Sequence, residues 1–221
     1  MKFISLVATI ALALTLAVSP IPVHAGGMQD DVNQAVSIIE RFQEIPEKAI
    51  PPSVLRDAKG LAILTVVKAG FIVSGRGGTG VVVARTGKGW SGPSAIGTGG
   101  AGFGLQIGAQ VTEFVIVLNT YEAVKAFSRG GNVALGTDLS VAAGPVGRTA
   151  SADITPVAAV YSYSRSQGLF AGISLEGTVI ATRSETNSEY YGRAVNPEDI
   201  LSGKIKMPAG AQKLSKALRK Y

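Results

Sequence analysis

The chain has 221 residues, 21 Lys+Arg against 15 Asp+Glu for a net charge of +6, one histidine and no cysteine. Without cysteine there are no disulfides, no thiolate nucleophiles and no zinc centres built on sulfur. The single histidine, His24, lies in a segment that processing is expected to remove.

That segment comes first in the chain. Lys2 precedes the apolar run Ile4–Val18, Pro20 and Pro22 break it, and Val23 and Ala25 stand at the −3 and −1 positions of a cleavage site after Ala25. This is the layout of a secretory signal peptide, and the run falls short of the roughly 18 apolar residues of a membrane span. Taking 25 residues from 221 leaves 196, enough for one domain with a core of its own. Lys2 leaves with them, so 20 basic residues face 15 acids, and the remaining chain has no histidine. Ser-His-Asp chemistry and His-built zinc sites are thereby excluded as well. The expected product is exported, periplasmic or secreted, and held by its core alone.

Residues 28–45 read as an amphipathic helix, with Val32, Val36, Ile39 and Phe42 on one face and Asp30 and Asp31 near its start. Pro46 limits it. A short helix capped by Ser53 is expected to run through Ala58, ended by Gly60. From Leu61 the period becomes two. Phe103-Leu105-Ile107-Ala109-Val111, Val133-Leu135-Thr137-Leu139-Val141, Val157-Ala159-Tyr161-Tyr163 and Ala171-Ile173-Leu175 read as strands, punctuated by glycine pairs. One helix, Thr120–Phe127, interrupts them. The expected fold is α+β and mainly β: one antiparallel, glycine-rich barrel or sandwich with an N-terminal amphipathic helix and short covering helices.

Gly75-Arg76-Gly77-Gly78-Thr79-Gly80 spells the dinucleotide-binding G-x-G-x-x-G. Such a motif must open a helix and be followed, about 20 residues on, by an acid for the ribose. Here Val81-Val82-Val83 follows, which favours strand, and no acid stands between Asp57 and Glu113. The motif reads as a glycine-rich hairpin connection. Gly92-Pro93-Ser94-Ala95-Ile96-Gly97 and Gly172-Ile173-Ser174-Leu175-Glu176-Gly177 are one residue too long for a nucleophile elbow. Glu113, Asp138 and Glu176 read as solvated or hydrogen-bonded strand residues rather than a carboxylate pair. No catalytic residue, metal site or cofactor is assigned, and the expected protein is not an enzyme.

Positive charge gathers in two stretches. Lys59, Lys68, Arg76, Arg85 and Lys88 stand between Ala58 and Thr112 without an acid, with Arg76 inside a glycine-rich segment able to form an anion-binding nest. From Gly203 to Tyr221 there are six more basic residues and no acid. Residues 210–220 can form a basic helix with Leu214 and Leu218 on one face, either docked on the sheet or laid on an anionic bilayer. Nucleic acid is not an expected partner, because no aromatic-basic platform is present.

The stretches IPPSVLRDAKGLAILTVVKAGF, GRGGTGVVVAR, GWSGPSAIG, GGNVALGTDLSVAAGPVGR and SRSQGLFAGISLEGT together resemble the SYLF domain, also called the Ysc-type actin-binding domain, from about Met28 to about Ser202. The resemblance implies a lipid-binding module without enzymatic activity, with phosphoinositide binding in eukaryotic members and actin binding in some. In those relatives an amphipathic segment near the start of the domain is implicated in membrane binding. Here residues 28–45 carry Asp30, Asp31, Glu40 and Glu44 against Arg41, a poor ligand for an anionic bilayer. The expected headgroup contacts are therefore Lys68, Arg76, Arg85 and Lys88, with Lys213, Lys216, Arg219 and Lys220 associating with the membrane. The alternative is a scaffold that binds a protein partner.

Overall fold

The computed structural model describes residues 27–44, 46, 49–146, 158–168 and 177–221. The expected signal peptide, the strand at Ala171-Ile173-Leu175 and Glu176 lie outside the described residues. Helix α1, Met28–Arg41, forms where the apolar spacing places it. Met28, Val32, Ala35, Ile38 and Ile39 are buried on its inner face, followed by Phe42 at its C-cap. Their transfer from water contributes roughly 10 kcal/mol, so α1 is a fixed covering layer. Asp30 and Asp31 sit in its first turn, where the helix dipole favours them. Helix α2, Pro52–Asp57, starts two residues earlier than expected, because Pro51 stands at its N-cap and Pro52 at N1. Ser53 therefore lies inside the helix and does not cap it.

Two long strands dominate. Strand β1, Gly60–Thr86, pairs antiparallel with β3, Ser94–Leu118, from Gly60↔Leu118 to Val82↔Ser94. At the tip, β2, Gly89–Trp90, pairs with Arg85 and Thr86. A straight strand of 27 residues would be about 90 Å long, and this one curls instead. Its register shifts between Gly70 and Ile72, and its second half returns against its first. The Arg85 N–H donates to the Lys59 carbonyl at 2.8 Å. A Cβ on Gly60 would stand 2.9 Å from the Val83 carbonyl, one on Gly78 would meet the Thr65 carbonyl, and one on Gly80 would lie 2.6 Å from the Leu64 Cα.

These contacts explain the glycine motif and correct its reading. Residues 75–80 are not a hairpin connection but the interior of β1, paired with 96–101 of β3. Gly78 and Gly80 are glycines because the strand packs on its own backbone there.

The sheet runs β2-β1-β3-β6-β5, with β6 at Val160–Gly168 and β5 at Val141–Ala143. Strand β7, Val179–Thr182, pairs with β3 and with β4, Asn132–Ala134. The expected mainly-β, α+β class holds: the sheet curls into a half-barrel flanked by short helices. Among the described strands the pairing is antiparallel except where β5 runs parallel to β6. The single strand expected over Val133–Val141 is two, because Gly136 takes φ +90° and Asp138 accepts the Ala134 N–H at 2.7 Å, closing a turn between them.

Around the two ends of the long hairpin both faces of the sheet are covered. Leu61, Ile63, Val81, Val83, Val115 and Val117 face α1 and the C-terminal residues Leu214 and Leu218. Residues of the other parity, among them Ala62, Leu64, Val82, Phe114 and Ile116, face α3, Tyr121–Ser128, together with β4, β7 and Leu201. The Thr120 hydroxyl caps α3 by accepting the Ala123 N–H at 3.1 Å.

Helices α4, Ser184–Tyr191, and α5, Pro197–Leu201, were not foreseen from sequence. Asn187 clips α4 to β3. Its amide donates to the Ser94 hydroxyl at 3.0 Å and its carbonyl accepts the Ala95 N–H at 2.7 Å.

Ion pairs fix both ends of α1. At its start the buried Asp31 accepts from Arg183 at 2.6 Å and from the Thr79 hydroxyl at 2.6 Å. At its end Arg41 makes a fork to Glu113 at 3.0 and 2.5 Å, and Arg165 donates to the Arg41 carbonyl and to Glu44. Thr79 of the glycine motif thus anchors a helix.

Candidate anionic-surface interface

The C-terminal segment builds the first part of the site. After Pro208, a single 3-10 turn at Ala209–Ala211 leads into α6, Gln212–Leu218. Leu214 and Leu218 are buried, while Lys213, Lys216, Arg219 and Lys220 are exposed. Of the two placements open to this helix, docking on the protein through its leucines is the one found. Tyr221 packs behind it, its phenol pushed up by burial and then by the nearby Glu40 carboxylate.

The β1–β2 tip supplies the second part. Gly89 takes φ +110° after Gly87-Lys88, and the Thr86 hydroxyl donates to the Gly89 carbonyl at 2.9 Å while accepting the Lys88 N–H at 3.2 Å. Positive φ at Gly89 is what lets the strand reverse so tightly. The Trp90 indole N–H donates to the Leu218 carbonyl at 3.2 Å, at the end of α6. Gly203, itself at φ +75°, lies against Thr86. The tip that carries the exposed Lys88 and the C-terminal basic segment, 115 or more residues apart in sequence, therefore lie at one end of the sheet.

The remaining expected contacts have other surroundings. Arg85 is occupied: its guanidinium lies 4.3 Å over the Trp90 ring and donates to the Leu55 and Arg56 carbonyls at 3.2 and 3.3 Å. Burial lowers its pKa, with Asp57 opposing. Arg85 joins α2 to the tip and orients Trp90. Lys68 and Arg76 stand farther along β1, both half-buried, opposite Gln110 and Gly100 respectively. Arg76 lies over Gly100, where a Cβ would stand 3.0 Å from its Nε. The structure thus puts Lys88 at the same end of the sheet as the α6 cations and leaves Lys68 and Arg76 on another part of the strand.

Two of the three carboxylates considered for catalysis have structural partners: Glu113 the Arg41 fork, and Asp138 the Ala134 N–H. Among the described residues no group of three or more His, Asp or Glu stands close enough to hold a metal ion.

A family model described as "Ysc84: Las17-binding protein actin regulator" matches residues 99–221. The SH3 domain-containing YSC84-like protein 1 of Bos taurus is 46% identical over 211 residues, covering 92% of this chain and 61% of the relative. That of Homo sapiens has the same identity and coverage. The LAS seventeen-binding protein 3 of Saccharomyces cerevisiae is 46% identical over 210 residues, 90% of this chain and 45% of the relative. The chain spans less than two thirds of the length of these curated relatives.

Proposed function

The chain belongs to the Ysc84 family, and from that premise we propose a non-enzymatic binding module that engages anionic lipid headgroups at a membrane surface through its basic end. One observation carries the reading. Helix α6 and the two residues after it turn Leu214 and Leu218 inward and Lys213, Lys216, Arg219 and Lys220 outward, at the end of the sheet that also carries the exposed Lys88. Each such cation near an anionic bilayer contributes about 1 kcal/mol, and the attraction fades within a Debye length. With the leucines committed to the core, nothing on α6 inserts into the acyl layer, so the binding is electrostatic. Helix α1 takes no part, since its apolar face is buried and its exposed face is acidic.

Sedimentation with phosphatidylserine-containing vesicles at low salt is the test. The protein is expected to pellet with them, to stay in solution with phosphatidylcholine alone, and to be released by high salt. Combining Lys216→Glu, Arg219→Glu and Lys220→Glu is expected to weaken binding by about 100-fold or more, whereas Lys68→Glu with Arg76→Glu has a smaller effect. Unchanged binding in the triple variant would remove this end of the molecule from the site.

A second reading is favoured by the relatives' names: the family is described as a Las17-binding protein actin regulator, and the yeast relative is a Las17-binding protein. In this reading the same cations meet an acidic protein surface. Co-sedimentation with actin filaments, together with no vesicle binding at low salt, would replace the lipid reading with this one.

A further inference from the structure

Beside the outward face of α6 lies an open groove of about 590 Å³, lined by Met207, Gln212, Ser215, Lys216 and Arg219. Its size falls in the roughly 300–1,000 Å³ range of clefts that hold small ligands. Four of the lining residues recur at i, i+3, i+4 and i+7, so one stripe of the helix forms a wall about 10 Å long. Met207, in the segment before the helix, gives the groove its apolar contact.

Among the described residues Thr65, Gln110, Thr178 and Ser215 have buried side-chain polar atoms without a partner, and of these Ser215 lines the groove. Its hydroxyl is buried and has no hydrogen-bond partner. Helical serines commonly bond back to the carbonyl four residues earlier, and three among the described residues do so: Ser37 to Asn33, Ser128 to Val124 and Ser188 to Ser184. Ser215 forgoes that bond and lines the groove. A buried hydroxyl without a partner is a cost, and a ligand that bonds to it removes the cost on binding.

We propose that this groove is a docking site for an acidic peptide segment of a partner protein. The cations lie toward one end, at Lys216 and Arg219, and the amide of Gln212 toward the other. A compact anion would use only the charged end. An extended chain advances about 3.3 Å per residue, so three or four residues cover the wall. Carboxylates then meet Lys216 and Arg219, main-chain groups meet Ser215 and Gln212, and an apolar side chain rests on Met207. Charge complementarity favours this occupant, because the stretch from Gly203 to Tyr221 contains no acid. The site is narrower than the membrane-facing surface of the previous section, which also uses Lys213 and Lys220, and it does not depend on that reading.

Panning the full chain against a random octapeptide display library tests it, followed by affinity measurement with the enriched peptides. These peptides are expected to carry at least two carboxylates next to an apolar residue. Ser215→Ala is expected to weaken them about tenfold while leaving the unfolding midpoint unchanged or raised, because the hydroxyl it deletes is unpartnered. Lys213→Glu, outside the groove, leaves peptide affinity within twofold although it weakens vesicle binding. No enrichment, enrichment of neutral or basic peptides, or equal losses from Ser215→Ala and Lys213→Glu would overturn the proposal. So would displacement of the peptides by inorganic phosphate at comparable concentration, which would assign the groove to a phosphoryl group instead.

Discussion

Gly80→Ala is expected to destabilise the fold by about 4 kcal/mol, and Gly75→Ala, five residues away in the same motif, to change stability by less than about 1 kcal/mol. A methyl at Gly80 meets main chain, the Ile63 carbonyl and the Leu64 Cα, rather than the movable end of a side chain. Relief requires separating the two halves of β1, and both are buried in the core. A methyl at Gly75 has nothing within 4 Å. Domains of this size are stable by roughly 5–15 kcal/mol, so the first variant approaches the threshold of folding while the second behaves as wild type. Urea unfolding of the two proteins side by side is the measurement. Equal effects would show that the self-packing of β1 is not what places glycine at position 80.

The second large effect is expected at the start of α1. Arg183→Leu leaves the Asp31 carboxylate buried without its cation, and breaking such a pair costs about 3 kcal/mol. The cost depends on pH, and its sign follows from Asp31. Burial raises that carboxyl above its ordinary value of 3.8, outweighing the lowering influences of the Thr79 hydroxyl and of Arg183. A carboxyl raised on folding binds its proton more tightly in the folded state. Its contribution to stability is complete below 3.8 and is lost as pH rises through the folded value. Removing Arg183 takes away a lowering influence and moves Asp31 further up. The penalty of Arg183→Leu is therefore small in acid and grows toward neutral pH. Adding Asp31→Asn removes the titrating group and flattens the curve. A penalty equal at pH 4 and pH 7 would mean that Asp31 and Arg183 are not coupled in solution.

Much of the architecture was legible in the residues, where local chemistry decides it. The spacing of Val32, Ile39 and Phe42 located α1, alternation located part of β3 and β6, and Leu214 with Leu218 located α6. The family was legible in five quoted stretches. What escaped notice depends on partners remote in sequence. SETNSEYY has no apolar stripe to announce a helix, and α4 holds its place through Asn187 and β3, 92 residues away. The glycine motif resembled a turn because glycine marks both turns and close backbone approach, and only the curl of β1 distinguishes them.

In the candidate site, the cations of α6 were foreseen, but their neighbourhood was not. Nothing in the sequence near Trp90 points to Leu218, and Arg85 counts as free charge until its stacking and its two carbonyl partners are seen. The partnerless Ser215 has no signature in the sequence.

The uneven covering of the long hairpin has a consequence for amide hydrogen exchange. Its ends, around Leu61–Leu64 and Val81–Ala84, are buried on both faces. At Gly75 and Gly99–Ala101 the ladder continues with exposed residues and almost no side chains to shield it. Isolated hairpins fray from the ends inward, and local opening follows the sparsest packing. In this molecule the most protected amides of β1 belong at its two ends and the least protected near its centre, so that a strand continuous in hydrogen bonding is read by solvent as two.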